Sequence, residues 1–197
     1  ADSKFIKKIC DKYEPNKEEI TIAINYGFDN DYSDEYLEEL KKIPKEVSEE
    51  EIVDRTDYRE MNFFTIDGKN TKDMDDAVGA KQLDNGNILV YVSIADVSHY
   101  IKCGSAIYER ALEKTTSLYL NNNVFHMFHK LISNGICSLN PLEDRLTKTV
   151  VMEITPDGNI INYDVVRSVI NSKKKMNYDD VDKVLMDGLI PSGYEEF

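Results

Sequence analysis

The first sixty residues place apolar side chains at helical spacing. Residues 17–26 form one such segment, with a capping-box spacing at Asn16 and Glu19. A second helix is predicted to begin after Ser33, where apolar residues recur every three or four positions, and a short third helix after Ser48. This part of the chain is therefore predicted to be a helical lead-in.

From Phe63 onwards the pattern becomes that of strands. Residues 77–83 and 87–97 flank Asp84-Asn85-Gly86, and an Asn-Gly pair supplies the positive φ angles that a tight hairpin turn requires. The second of these strands is apolar on both faces, which favours a position inside a sheet with both faces buried. The pattern thus predicts an antiparallel hairpin whose second strand belongs to a sheet interior.

A second hairpin is predicted for residues 149–155 and 160–170, joined by the turn Pro156-Asp157-Gly158-Asn159. Helices are predicted from Ser105 to about residue 116 and from Asn177 to about residue 188. The predicted fold class is α+β, with a mixed or mostly antiparallel sheet and flanking helices.

The composition fits a chain with a sizeable core, because 41% of its 197 residues are hydrophobic. It contains no run of 18 or more apolar residues, so no membrane segment is predicted. Its three cysteines, Cys10, Cys103 and Cys137, are odd in number and form no CxxC pair, which favours neither a disulfide framework nor a zinc site. A reducing cytoplasm is the expected location.

The net charge of −13 argues against a nucleic-acid partner, whose phosphates attract Lys and Arg. The larger part of this acidic excess lies in the first sixty residues, where a solvated helical face explains it. The charge therefore does not exclude a nucleic-acid substrate.

Four aspartates follow the apolar run Phe63–Ile66 within ten residues: Asp67, Asp73, Asp75 and Asp76. Carboxylates this close favour a divalent cation between them, and hard oxygen ligands suit Mg²⁺ or Mn²⁺. From spacing alone an exposed acidic turn is an equal alternative. An EF-hand is excluded because Val78 stands where its glycine is required.

Other features have structural explanations that compete with functional ones. His99 lies near a strand end, where a structural role is favoured over a substrate contact. Tyr119 could stack on a base, although a single tyrosine in an apolar segment is more often core. His126 and His129 lack the spacing of a zinc site, and Lys173-Lys174-Lys175 could meet phosphates or form a solvated face.

Four strings, taken together, resemble the catalytic domain of the ribonuclease II and ribonuclease R family, also called the RNB family. They are 65–78, with the aspartates, and then Ile94-Ala95-Asp96-Val97-Ser98-His99-Tyr100, Ser133-Asn134-Gly135-Ile136-Cys137-Ser138-Leu139-Asn140-Pro141 and Asp144-Arg145-Leu146-Thr147. Their order and spacing match throughout, and the resemblance runs from about residue 16 to 190.

The resemblance implies processive, Mg²⁺-dependent 3′→5′ hydrolysis of single-stranded or 3′-overhang RNA to nucleoside 5′-monophosphates by a metal-activated water. The four catalytic, metal-binding aspartates of the family map onto Asp67, Asp73, Asp75 and Asp76. A tyrosine that packs on the 3′-terminal nucleotide maps onto Tyr119. The alternative is a non-catalytic RNA-binding or scaffold member with the same fold.

The resemblance also implies a domain order. Residues 1–15 are expected to be the tail of a preceding cold-shock (OB) domain, 16–60 the helical lead-in, and 61–197 the N-terminal part of a truncated RNB catalytic domain. An essential arginine, a second base-stacking aromatic residue and an S1 domain are expected beyond Phe197, so the chain alone is expected to be inactive. Where the family has two prolines in this loop, the chain has His126 and His129.

Overall fold

The computed structural model describes residues 16–121, 123–195 and 197, so the expected cold-shock tail at 1–15 lies outside the described residues. The chain forms two compact units. The described part of the first lies at 16–42, 101–121 and 123–129, and that of the second at 43–100, 130–195 and 197. These units are defined by contacts between residues. The predicted domain limits, 16–60 and 61–197, were drawn from the sequence alone and stay predictions.

The helices and strands are, in chain order, α1 (Lys17–Asn25), α2 (Asp34–Leu40), α3 (Glu49–Ile52), β1 (Thr56–Asp57), β2 (Phe63–Asp67), β3 (Asp76–Gln82), β4 (Ile88–Ala95), α4 (Val97–Tyr100), α5 (Ala106–Lys114), β5 (Leu118–Tyr119), β6 (Val124–Phe125), β7 (Asp144–Ile154), β8 (Ile160–Asn177) and α6 (Tyr178–Asp187). A distorted helical turn spans Ile132–Ile136 and precedes β7. The predicted α+β class with a mixed sheet and flanking helices is confirmed.

The first unit contains α1, α2, α5 and the β5–β6 hairpin. The carboxylate of Glu39, in α2, accepts hydrogen bonds from the backbone N–H groups of Ala106 and Ile107, both at 3.0 Å. A carboxylate at a helix N-terminus satisfies unpaired donors and interacts favourably with the helix dipole. Ser105 caps the same helix by accepting from the Tyr108 N–H. Capping therefore fixes where α5 begins and ties it to α2.

The second unit is built on a sheet that closes on itself. Strands β2, β3, β4 and β7 pair antiparallel in that order, and β8 pairs antiparallel with β7 and parallel with β2. Because β8 pairs at both ends of this series, β8, β2, β3, β4 and β7 form a closed ring, with β1 added beside β8. Closure leaves no free sheet edge within the ring.

The interior of this barrel is partly apolar and partly hydroxyl-lined. Phe63, Tyr91 and Ile170 are buried in its main hydrophobic cluster. Elsewhere Ser93, Thr149, Ser168 and Thr147 form a buried chain of hydrogen bonds between hydroxyl groups, at 2.6, 2.6 and 2.8 Å. Buried hydroxyl groups cost little when each has a partner, so these four residues fill their part of the barrel at little cost.

The structure corrects several local predictions. Asn16 precedes α1 but makes no side-chain capping bond, because its backbone adopts a left-handed conformation with φ of 62°. Gly86 has a positive φ of 84° whereas Asn85 does not, so one glycine suffices for that turn. Strand β4 lies inside the sheet as predicted, yet Ile88 and Ile94 are 41% and 47% exposed, so two-sided burial was wrong. Among the described residues, no helix is long and apolar enough to cross a membrane.

Candidate active site

The four aspartates lie within residues 67–76, which join β2 to β3 and are called the acidic loop. Asp67 is the last residue of β2 and Asp76 the first of β3, and these strands pair antiparallel. Asp67 and Asp76 therefore lie at the same end of the barrel, while Asp73 and Asp75 lie on the connecting loop. The chain turns directly after Asp67, where the Thr71 N–H donates to the Gly68 carbonyl at 3.0 Å, and a Cβ atom at Gly68 would approach the Thr71 hydroxyl to 3.0 Å.

The loop is held on its first side by Lys175 of β8. Its ammonium donates to the Thr71 carbonyl and, at 3.3 Å, to the Lys69 carbonyl. The neighbouring Lys173 donates to the Arg59 carbonyl at 2.6 Å, and the Lys174 ammonium lies 5.1 Å from the centre of the Tyr194 ring. The lysine run is thus not only a solvated face, because each ammonium contacts the protein.

The loop is held on its second side by the segment that follows the Ile132–Ile136 turn. The Ser138 hydroxyl accepts from the Met74 N–H at 3.1 Å and donates to the Lys72 carbonyl at 2.9 Å. The Leu139 N–H donates to the Met74 carbonyl at 2.8 Å, and both side chains lie in the hydrophobic cluster. Met74 anchors the loop, and the residues on either side of it are Asp73 and Asp75.

The carboxylates act on one another. Partial burial raises the pKa of Asp67, and Asp76 and Asp73 raise it further, whereas the Thr65 hydroxyl and the Lys175 charge lower it. The pKa of Asp75 is raised by loss of water contact and by the three other aspartates. Asp75 is exposed to solvent, so repulsion from its negative neighbours is the cause that best explains its raised pKa. The folded chain therefore holds this negative charge at a cost.

One carboxylate oxygen lacks a partner. Asp67 Oδ2 is buried without a group at hydrogen-bonding geometry, and so is the hydroxyl of Thr65, which lies near enough to lower the pKa of Asp67. A buried carboxylate oxygen without a donor is costly, and a cation is one group that relieves that cost. This atom marks the point in the cluster where a positive ligand is most needed.

The carboxylate oxygens of the four aspartates are the type of ligand that a hard divalent cation prefers. Within the described residues, no three side chains of His, Cys, Asp or Glu are placed so as to hold a metal ion. Mg²⁺ is commonly held by one or two carboxylates, with waters and substrate phosphate oxygens completing its shell, so a cage of three protein groups is not required. The catalytic and metal-binding roles of Asp67, Asp73, Asp75 and Asp76 stay predictions.

His99 and Asp96 belong to a separate, buried network. Arg55 donates to Asp96 Oδ2 at 2.7 Å, and its Nη2 also lies 3.3 Å from His99 Nδ1. Since an arginine only donates, Nδ1 accepts and Nε2 carries the proton that reaches Glu51 Oε1 at 2.8 Å. Ser98 donates to Asp96 Oδ1 at 2.8 Å. This network explains His99 by the structural role that the sequence favoured, and its RNA contact stays a prediction.

Tyr119 lies in the first unit, on β5, where it pairs with Val124 of β6. Its side chain is 60% exposed, so it is not the core residue that a tyrosine in an apolar segment usually is.

The loop with His126 and His129, in the same unit, is held by hydrogen bonds of its backbone groups. The His126 carbonyl accepts from the buried Lys114 ammonium at 3.0 Å, and the His129 N–H donates to the Tyr36 hydroxyl at 3.0 Å.

Sequence reasoning missed the residues that hold the acidic loop and the arginine that pairs with Asp96. Ser138 stands within one of the strings quoted above, but its spacing gives no sign of its partner 64 residues away. Cys137 beside it is buried, and burial raises the pKa of its thiol to about 12, so it remains protonated. A nucleophilic thiol is thus not part of this site.

The RNB domain family profile matches residues 55–191, which include the barrel, the acidic loop and the segment that holds it. The matched segment makes up more than half of the chain, so the match shows the family. The chain belongs to the RNB domain family, and the relatives that it resembles include bacterial ribonuclease R.

Two curated relatives and one solved structure show this similarity. The chain is 47% identical over 156 residues to ribonuclease R 1 of Lactococcus lactis, covering 79% of this chain and 19% of the relative. It is 40% identical over 198 residues to ribonuclease R of Thermotoga maritima, covering 100% of this chain and 28% of the relative. Mycoplasma genitalium RNase R in complex with ribose-methylated single-stranded RNA matches with a TM-score of 0.80 and 29% identity, over 90% of this chain and 28% of that one. The chain thus spans less than a third of the length of these proteins.

Proposed function

We propose that this chain is the N-terminal part of the catalytic domain of a ribonuclease R-type enzyme, which hydrolyses RNA from its 3′ end to nucleoside 5′-monophosphates. The observation that carries the proposal is a loop with four aspartates, tied down on both sides, in a chain of the RNB family. The substrate is single-stranded RNA or RNA with a 3′ overhang, and a solved RNase R holds single-stranded RNA. A cytoplasmic location is proposed with it.

Asp67, Asp73, Asp75 and Asp76 are the residues that would hold Mg²⁺ or Mn²⁺. Bound there, the cation supplies positive charge at the scissile phosphate and lowers the pKa of a water. The protein's own contribution is to keep the carboxylates together on a fixed loop and to hold Asp67 partly buried at the end of β2. Tyr119, exposed on β5, offers a ring on which the 3′-terminal base can stack.

The proposal is tested on RNA with a 3′ overhang in the presence of Mg²⁺, where shortening of the 5′-labelled strand and release of nucleoside 5′-monophosphates are both measured. The full-length protein that contains this chain is expected to shorten the RNA from its 3′ end. Residues 1–197 alone are expected to be inactive, since the arginine and the second aromatic residue implied by the family would be absent. Cleavage at internal sites would contradict hydrolysis from the 3′ end, and robust turnover by residues 1–197 would contradict the expected inactivity of this part alone. A DNA of equal sequence is the matched substrate control.

Divalent metal is expected to stabilise the folded chain. A cation that binds the folded state alone adds RT ln(1 + [L]/Kd) to the free energy of unfolding, about 2.7 kcal/mol at a hundredfold excess over Kd. The measurement is thermal or urea unfolding of residues 1–197 with Mg²⁺ or Mn²⁺. KCl at matched ionic strength controls for screening of the aspartates. Equal effects of MgCl₂ and KCl would return the cluster to the acidic-turn alternative.

The second candidate is a non-catalytic RNA-binding or scaffold member of the family. The observation in its favour is that no preformed set of three metal-binding side chains exists among the residues described. This candidate predicts RNA binding by the full-length protein with no hydrolysis and no linkage to divalent metal. The two measurements above therefore separate it from the enzyme.

A further inference from the structure

We propose that Ser138 is a positioning residue for the acidic loop, which sets where the carboxylates of Asp73 and Asp75 lie and thereby tunes their affinity for a divalent cation. The inference rests on the proposed function and assigns a role to a residue outside the four proposed metal-binding aspartates.

The geometry around Asp73 carries the proposal. One hydroxyl spans both peptide groups that flank this residue, because Ser138 Oγ accepts from the Met74 N–H and donates to the Lys72 carbonyl. A serine hydroxyl has a single proton, and its nearest acceptor is the Lys72 oxygen at 2.9 Å, ahead of Asn140 Oδ1 at 3.3 Å. The backbone on either side of Asp73 is thus fixed by one atom.

Met74 converts this backbone contact into side-chain direction. Its N–H donates to the Ser138 hydroxyl, its carbonyl accepts from the Leu139 N–H, and its side chain is 3% exposed. Burial alternates along these three residues, because Met74 is buried whereas Asp73 is half-buried and Asp75 is exposed. With Met74 directed into the core, Asp73 and Asp75 are directed to the other side together.

Ser138 is itself held from behind. It is fully buried, and its carbonyl accepts from Arg145 Nε at 2.8 Å. Arg145 is only 3% exposed and also bonds to the Asp144 carbonyl at 2.8 Å and to Glu143. A contact from a rigid, buried segment transmits position to the loop, which is how outer-shell residues orient metal ligands.

The test compares Ser138→Ala and Ser138→Cys with Ser168→Ala. Ser168 is the matched control, because its hydroxyl is also fully buried and hydrogen-bonded but belongs to the Thr147 and Thr149 network. Loss of an outer-shell contact typically weakens metal binding by about 10- to 100-fold. We expect a loss of this size in Mn²⁺ affinity for Ser138→Ala, a smaller loss for Ser138→Cys, and none for Ser168→Ala.

Two readouts separate failure of this inference from failure of the proposed function. The first is Mn²⁺-linked stabilisation of residues 1–197, and the second is amide hydrogen exchange at Met74 without metal, which is expected to accelerate in Ser138→Ala. If the wild-type chain binds Mn²⁺ and Ser138→Ala binds it equally well, the positioning role is overturned while the metal site stands. If the wild type shows no linkage to Mn²⁺, the proposed metal site fails, and unchanged exchange at Met74 overturns the positioning role independently. If Ser138→Ala does not fold, Ser138→Cys gives both readouts.

Discussion

Replacement of Arg55 by methionine is expected to lower the free energy of unfolding by about 3–5 kcal/mol, the usual cost of leaving a buried charge unpaired. The Arg55 and Asp96 side chains are 0% and 3% exposed, and their closest atoms are 2.7 Å apart. Arg55 Nη1 also donates to the carbonyls of Thr147 and Ser168, on the paired strands β7 and β8. The substitution therefore removes the partner of a buried carboxylate and a tie between two strands. Urea unfolding at neutral pH measures the loss.

Lys183→Met is the matched control for this prediction. Lys183 pairs with Asp180 at 2.8 Å, but the side chains are 53% and 26% exposed, and such surface pairs contribute at most about 1 kcal/mol. A similar loss in the two variants would show that burial is not what makes the Arg55 pair important. The double variant of Arg55→Met with Asp96→Asn is expected to lose less than the sum of the single losses, since no buried charge is then left unpaired.

The pH dependence of the Arg55 variant provides a second check. Burial alone would raise the pKa of Asp96, but hydrogen bonds from Arg55 and Ser98 and the charges of Arg55 and Lys148 hold it below its usual 3.8. A lowered carboxyl pKa stabilises the fold above the ordinary pKa, and that stability is lost as the pH falls through the folded value. Without Arg55, burial raises the pKa of Asp96 instead, so the difference between wild type and variant is expected to shrink as the pH falls from neutral through the raised pKa of the variant to the lowered pKa of the wild type.

The sequence predicted those parts of the fold that short-range chemistry determines. Ser33, Ser105 and Asn177 each accept from a backbone N–H three residues on, and the helices begin after them as predicted. Closure of the barrel left no such local signal. It depends on parallel pairing of β2 with β8, which joins residues such as Thr65 and Lys175 across more than a hundred positions. The predicted second strand of the hairpin stopped at 170 because the lysine run has no alternating pattern, whereas β8 continues to Asn177.

The candidate site divides in the same way. Spacing alone placed four aspartates near one strand end. In the structure Asp67 ends β2, Asp76 begins β3, and Asp73 and Asp75 lie on the loop between these strands. What holds that loop could not be predicted, because Lys175 and Ser138 reach it from 104 and 64 residues away. Lys175 and Ser138 both contact backbone groups of the loop. Because every residue here offers such a carbonyl or N–H, the identity of the contacted residue gives no sign of the contact in the sequence. The carboxylates are visible in the sequence, and their support is visible only in the fold.

Asp75→Asn is expected to have the largest effect on activity. In the full-length protein, loss of one carboxylate from a site that supplies several kcal/mol of transition-state stabilisation is expected to lower kcat by at least about a hundredfold. In residues 1–197 without metal, the same change is expected to increase the free energy of unfolding. The pKa of Asp75 is raised by lost water contact and by its three negative neighbours, so its ionised form destabilises the fold at neutral pH, and asparagine carries no charge to repel.

The opposite signs of these two effects distinguish a functional aspartate from a structural one. Neutralising an aspartate that is kept for folding would lower both the stability and the activity of the protein. Neutralising one that is kept for metal binding is expected to raise the stability, to lower the activity and to remove the stabilisation by Mn²⁺. Asp84→Asn is the matched control, because Asp84 is exposed in the turn between β3 and β4 of the same unit, and it is expected to change neither quantity. Hydrolysis by Asp75→Asn at the wild-type rate would remove this residue from the proposed site, whatever its effect on stability.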